Sequence, residues 1–408
     1  MAHARSARAL DMVNFFVADV QTGFGPFIAV YLTANKWTDG QIGVALSLGT
    51  IAALIGQVPA GALVDALHNK RAAAMVGVVA VSFSALLFAL FPLVGPVYLA
   101  ELLHGLASCV LTPAIAAVSL ALVGHAALGE RLGRNARFAS VGNGIAAGIM
   151  GVIGSAVSPE AVFWLTAALG APALVALVMV GRVEPAERPL KADPFDWHGL
   201  RDLVADRRVL SFGLCALLFH LSNAAMLPLA AASATKTAGD LASMIVGASI
   251  VVPQIVVALM SPWVGARAET WGRRPLLVLG WSMLAVRGVL IALVPNAWLL
   301  IALQALSGVS GAVFGVMFPL ISADLTVNSG RFNLCMGVLG LAVFVGASLS
   351  TMMAGWAADH FGDTAAFMAL AGAGLLGALA CRFVMPETRI AAQPAEKPCV
   401  LKRRRPAS

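Results

Sequence analysis

The chain has 408 residues, 60% of them hydrophobic and only 12% charged, with a mean hydropathy of +0.88. A soluble domain carries about 25% charged residues, so a soluble core is excluded and lipid is the expected solvent for most of the chain. The formal net charge of +7 does not indicate nucleic acid, because the Lys and Arg fall in turns between apolar runs.

At roughly 20 residues per span, the apolar runs predict twelve transmembrane helices. They lie at 12–34, 41–66, 72–92, 97–125, 136–158, 160–182, 208–232, 240–268, 274–295, 297–325, 332–358 and 364–386. Helices are required because lipid cannot satisfy backbone polar groups, and the runs are too long for barrel strands. The N-terminus is short and basic. The first run contains Asp19 and lacks a small-residue cleavage site, so it reads as a retained helix rather than a signal peptide. The five cysteines, Cys109, Cys215, Cys335, Cys381 and Cys399, show no paired spacing and predict no disulfide framework.

A charged turn, Gly61-Ala-Leu-Val-Asp65-Ala-Leu-His-Asn-Lys70-Arg71, separates the second and third runs. A second copy, Gly265-Ala-Arg-Ala-Glu269-Thr-Trp-Gly272-Arg273-Arg274, lies between the eighth and ninth. Gly61 to Gly265 is 204 positions, half the chain, and so is Asp65 to Glu269. Duplication therefore predicts an all-α membrane protein of two six-helix halves related by pseudo-two-fold symmetry. The halves are 1–182 and 208–386, with a polar linker at 183–207. A basic tail, 387–408, ends in Lys402–Arg405 and is expected to be disordered.

Orientation follows from the basic residues. Lys36 and Lys236 fall in outside loops and Arg287 within a helix, which leaves 24 of the 27 Lys and Arg on one side. That side is expected to be cytoplasmic, with both termini, the linker and both motif copies. The localisation expected is the inner membrane of a bacterial-type cell. In the fifth helix Gly144, Gly148, Gly151 and Gly154 permit close helix approach, either as static packing or as a sliding interface.

Twelve helices in two halves, with G-x-x-x-D-x-x-x-x-K-R after helix 2 and G-x-x-x-E-x-x-G-R-R after helix 8, resemble the major facilitator superfamily. The resemblance covers about Asp11 to Pro386 and is specific for fold rather than substrate. The family loop reads G-x-x-x-D-(R/K)-x-G-R-(R/K). Here Ala66 replaces the basic residue and His68 the second glycine, while Gly272 is kept in the later copy. The resemblance implies a latch that holds the cytoplasmic side closed, built from Gly61, Asp65, Lys70, Arg71, Gly265, Glu269, Gly272, Arg273 and Arg274. Physically, a carboxylate at Asp65 can accept hydrogen bonds from a helix N-terminus in the other half. Alternatively these charges only enforce topology.

Ionisable groups inside the spans are the candidates for coupling. Asp19 lies about seven residues into helix 1, ~10 Å deep. An ionised carboxylate there is costly unless paired or wet, so it faces the interior or carries a proton. The other reading is a carboxylate locked to a neighbouring helix. In helix 4 many proton-coupled relatives resemble R-x-x-Q-G, where this chain has Glu101 and His104 before Gly105. Glu101 can itself carry a proton, or snorkel to the outer interface. The matching position in helix 10 is Gln304. His220 and Asn223 share a face of helix 7, and Asn223 lies 204 positions beyond Asp19. With Asn14 and Gln21 on helix 1, these residues are the candidate substrate cavity. Arg287, mid-helix 9, is expected to pair inward.

No metal-ligand cluster, phosphate-cradling loop or nucleophile–base spacing occurs, so neither an enzyme nor a cofactor is expected. The function expected is a secondary transporter of a small organic solute, working by alternating access, coupled to protons and favouring efflux. It acts in the bilayer as a monomer, without nucleic acid. Drug:proton antiporters carry a G-P-x-x-G-G-like motif in helix 5, which here is glycine-rich but lacks the proline. A proton-coupled importer and a uniporter are the alternatives. A receptor or assembly factor on the same scaffold would not need the intramembrane acids.

Overall fold

The computed structural model describes residues 2–22, 24, 26–181, 197–230, 242–293, 297–327 and 329–389. Among them are twelve helices long and apolar enough to cross a membrane, and no strand. The protein is a multi-pass membrane protein. Large apolar side chains such as Ile55, Leu259, Met352 and Leu376 are exposed on the outer surface, where lipid solvates them.

The spans follow the predicted order with instructive differences. The first is two helices, Ala2–Thr22 and Pro26–Ala34. Pro26 has no N–H to continue the ladder of the first piece, so the helix restarts there. Phe24, in the break, stacks on His104 with ring centroids 3.8 Å apart. The second, third and fourth spans are Asp39–Ala66, Lys70–Leu90 and Val94–Val123. The fifth is Leu128–Ala156 and starts eight residues before the expected 136. Its early residues are charged and resemble a turn, but Arg131 is buried by ion pairs and the helix runs on. The sixth span is Pro159–Met179, with Ser158 as N-cap.

A short helix, Trp197–Ala205, occupies the second part of the expected linker. Residues 183–196 of that linker, and Arg182 before it, lie outside the described residues. Asp206 caps the seventh span, Arg207–Ala230, by accepting from the Arg208 N–H at 2.8 Å. The eighth to twelfth spans are Ala242–Trp271, Arg273–Leu293, Ala297–Leu325, Phe332–Phe361 and Asp363–Phe383. Lys236 and residues 390–408, including the Lys402–Arg405 cluster, lie outside the described residues.

Two main cores form, the second of which also takes in Leu120, Leu128 and Leu132 of the first half. Phe88, Phe163 and Tyr31 anchor the first, and Trp281, Phe212 and Phe219 the second. The halves meet mainly through the second span against the eleventh and the fifth against the eighth.

Candidate functional site

At the end of the bundle that carries both charged turns, the basic end, the halves are in direct contact. Asp65 is the second-last residue of the second span. Its Oδ1 accepts from the Asn333 N–H at 3.0 Å and the Asn333 Nδ2 at 2.6 Å, and its Oδ2 from the Leu334 N–H at 2.7 Å. These are first-turn residues of the eleventh span, whose N–H groups have no intrahelical acceptor. Arg331, just before them, does not cap the helix with its side chain. The cap comes instead from the other half. One turn earlier, a Cβ on Gly61 would strike the Asn333 carbonyl. Glycine is what lets the two backbones touch.

The second copy occupies the equivalent place with weaker chemistry. Gly265 lies against the Gly129 backbone, and Gly129 is 204 positions before Asn333. Glu269 Oε1 faces Gly129 but is buried without a hydrogen-bond partner, while Oε2 meets Arg273 Nη1 at 3.3 Å. A further pair obeys the same relation. Gly337 sits on the Gln57 backbone and Gly133 on the Ser261 backbone.

The remaining motif residues bond within their own halves. Lys70 donates to the Val64 carbonyl and, at 2.8 Å, to the Asp65 carbonyl, closing the C-terminus of the second span. Arg71 reaches the Val178 carbonyl at 3.3 Å. Gly272 has φ +89°, a left-handed turn that favours glycine. Arg273 pairs with Asp324 at 2.8 Å, both side chains 3% exposed. Glu387 accepts from the Arg273 and Arg274 N–H groups at 2.8 and 3.1 Å, Thr388 donates to Asp324, and Arg389 to the Thr270 carbonyl. The expectation that the tail is free from Glu387 onward is thus corrected for 387–389. Their polar groups satisfy the start of the ninth span.

Sequence reading missed a second network at this end. Asp11 on the first span meets Arg131 at 2.5 Å and Arg134 at 2.6 Å. Arg131 Nε donates to Asn135 Oδ1 at 2.7 Å, and Asn135 Nδ2 to Ser119 Oγ at 2.7 Å. Placing Arg131 and Arg134 in a turn hid it.

Gly148 and Gly151 on the fifth span and Gly355 on the eleventh have nothing within 4 Å of an added Cβ. Between the halves is a cavity of ≈ 530 Å³, lined by the first, second, fourth and fifth spans on one side and the seventh, eighth, tenth and eleventh on the other. Asn14, Gln21 and His220 line it, as expected. Gln57, Thr112, Asn135, Asn143 and Phe314 line it too and were not foreseen. Gln57 and Asn143 are legible as polar interruptions of apolar runs; Phe314 gave no such signal.

The other expected cavity residues lie elsewhere among the described residues. His104 is stacked on Phe24. Asn223 and Gln304 accept from Arg287, at 3.0 and 2.8 Å, which buries that guanidinium to 1% exposure. Arg287 thus pairs inward as expected, with two amide carbonyls. Asp19 and Glu101, each 3% exposed, are not in the lining. Asp19 lies against Gly142 of the fifth span and Glu101 against Gly49 of the second. Each has one carboxyl oxygen, Oδ1 and Oε1, buried without a hydrogen-bond partner.

Two six-span halves, touching at one end and enclosing a cavity with polar groups on one wall and apolar groups on the other, define a membrane transporter of the two-half type. The Major Facilitator Superfamily profile matches residues 10–230 and 212–407, and the chain belongs to that family. Two uncharacterised MFS-type transporters from Mycobacterium tuberculosis, of strains CDC 1551 and H37Rv, are each 37% identical over 398 residues, covering 94% of this chain and 94% of theirs. In fold the chain is similar to the human organic anion transporter MFSD10 (TETRAN), with TM-score 0.74, 15% identity and coverage of 93% of this chain and 99% of that one. It is similar also to a variant of the Escherichia coli fucose:proton symporter FucP, with TM-score 0.76, 18% identity and coverage of 94% and 99%.

Proposed function

We propose that this transporter moves a small organic solute by alternating access, coupled to protons through Asp19 and Glu101. The observation that carries the coupling is the pair of buried carboxyl oxygens without partners inside the membrane. An unpaired charge there is costly, so each acid is most stable protonated, and a step that wets or pairs it releases the proton. The contact at the basic end and the cavity between the halves are in keeping with one of the two arrangements that alternating access requires. The Gly144–Gly154 face of the fifth span offers a smooth surface on which the eighth span closes in the other.

In this reading the halves are 1–182 and 208–386, joined by 183–207 and followed by 387–408. The basic end is cytoplasmic by its Lys and Arg, with both termini there, in the inner membrane, and the unit is a monomer. The arrangement described is then outward-facing. Efflux is the favoured direction, on the glycine-rich fifth span that resembles the antiporters. The structurally similar FucP is a fucose:proton symporter, which is in keeping with a proton partner here. A uniporter is the second reading, favoured by the lack of any acid among the described lining residues.

Reconstituted vesicles with a trapped pH dye test it. Solutes that move should carry a stoichiometric proton flux, in opposite senses for export and import. Solute flux with no proton flux establishes the uniporter.

A further inference from the structure

The cavity walls differ in chemistry, and charge is held out of both. The first half presents neutral hydrogen-bonding groups, among them Asn14, Gln21, Gln57, Thr112 and Asn143. The second half presents Phe314, Phe318, Phe344, Val257 and Met336. No Asp, Glu, Lys or Arg is among the described lining residues. The three buried ionisable groups at this depth are turned elsewhere. Asp19 and Glu101 are packed between helices of the first half, and Arg287 is tied to Asn223 and Gln304.

Among the described residues, the ionisable groups that do reach the cavity are His220 and Cys109. His220 packs edge-on to Phe314, ring centroids 4.9 Å apart, and its buried Nε2 has no hydrogen-bond partner. The imidazole lies at the apolar wall, with Nε2 itself closed off from the space. The Cys109 thiol donates to the Ala53 carbonyl at 3.1 Å.

We infer that the cargo is an uncharged amphipathic molecule, with a hydroxyl- or amide-bearing edge against the first half and an aromatic or aliphatic face against Phe314 and Phe318. The inference rests on the transport reading above and supplies its substrate class. A charged cargo in this cavity would lose its water and find no counter-charge among the described lining residues, which in a membrane interior opposes binding. An uncharged polar edge finds amides that both donate and accept. The apolar face covers rings whose exposed surface otherwise faces water. The volume lies within the ~300–1,000 Å³ of sites that hold drug-sized ligands.

Thermal stabilisation of the purified full-length protein, without any gradient, reads binding alone. The probes are aryl and alkyl alcohols, amides and glycosides, set against amines and carboxylates of the same size. Uncharged probes should stabilise the protein and the charged sets should not. Phe314→Ala should weaken binding about tenfold. Because Phe314 also packs on Phe219 and Trp281, a second variant leaves the core alone. Thr112→Asp puts a carboxylate on a residue exposed to the cavity; it should weaken the uncharged probes about tenfold and admit amines. Stabilisation of the wild type by amines or carboxylates, or by no uncharged probe, overturns the inference, as does a Thr112→Asp protein that binds as before. Proton flux in vesicles is a separate reading, so failure of the substrate class and failure of coupling are told apart.

Discussion

Asp65 of the second span caps the helix Phe332–Phe361 of the other half, bonding Asn333, 268 residues away, and Leu334 with three hydrogen bonds of 2.6 to 3.0 Å. A helix N-terminus carries positive partial charge and open N–H groups, and the carboxylate satisfies both. The bond needs the basic end shut, so in the proposed alternating-access cycle it contributes to one conformation and not to its alternative.

Asp65→Asn should therefore leave the protein inserted and folded while opening the basic end more often. Losing charge-assisted contacts of ~1–3 kcal/mol moves a balanced two-state equilibrium about fivefold or more. Spin-label distances between the basic ends of the second and eleventh spans check it. Unchanged distances together with unchanged transport assign the motif to topology.

Close backbone approach makes the opposite kind of prediction at Gly337 and Gly133. A Cβ at either would strike the backbone of Gln57 or Ser261. Gly337→Leu and Gly133→Leu should each wedge the basic end apart, by sterics rather than lost charge. Cysteine cross-linking across that end should fall by half or more in both. If only one responds, the two crossings are not equivalent in the working protein.

Asp19 and Glu101 are held between helices rather than at the cavity wall. In the coupling proposed above, their protonation acts on helix packing rather than by competing with cargo. Asp19→Asn and Glu101→Gln should change cargo affinity less than about twofold while abolishing gradient-driven accumulation, with exchange retained. Loss of binding in either variant places that acid in contact with the cargo instead. A variant that still accumulates solute removes that acid from the coupling scheme.

The Asp11–Arg131 pair is buried at 3% and 4% side-chain exposure. Removing one partner of such a pair typically costs ~3–5 kcal/mol, because the other is left uncompensated. Arg134, 52% exposed, still reaches Asp11 and softens the loss. Arg131→Leu should lower the apparent Tm in detergent by several degrees, and Asp11→Asn by more, since it strands two guanidinium groups. Equal Tm values would show that the network carries little stability.

What was legible in the chain follows from which forces are local. Apolar length and the 204-residue repeat reveal the spans, their order and the symmetric placement of Asp65 and Glu269. The capping role of Asp65 was foreseeable because its chemistry is fixed by a helix end. The cavity was legible only in part. Asn14, Gln21 and His220 announce themselves as polar groups in apolar runs. Whether such a group turns inward to a void or sideways to a neighbour depends on helix rotation, which tertiary packing sets. Asp19, His104 and Asn223 turned sideways. Arg131 and Asn135 were hidden because hydropathy locates lipid, not helix ends, and the fifth helix runs past the apolar stretch.

The two crossings at the basic end share a geometry but not a strength. One is fastened by three hydrogen bonds at Asp65; the other is held by contact alone, with Glu269 Oε1 buried and unanswered beside Gly129. Duplication produced a door with matching edges, and divergence left the fastening on one of them. In the alternating-access cycle proposed above, opening that door costs hydrogen bonds along the second and eleventh spans and packing alone along the fifth and eighth, so the two edges part by different physics.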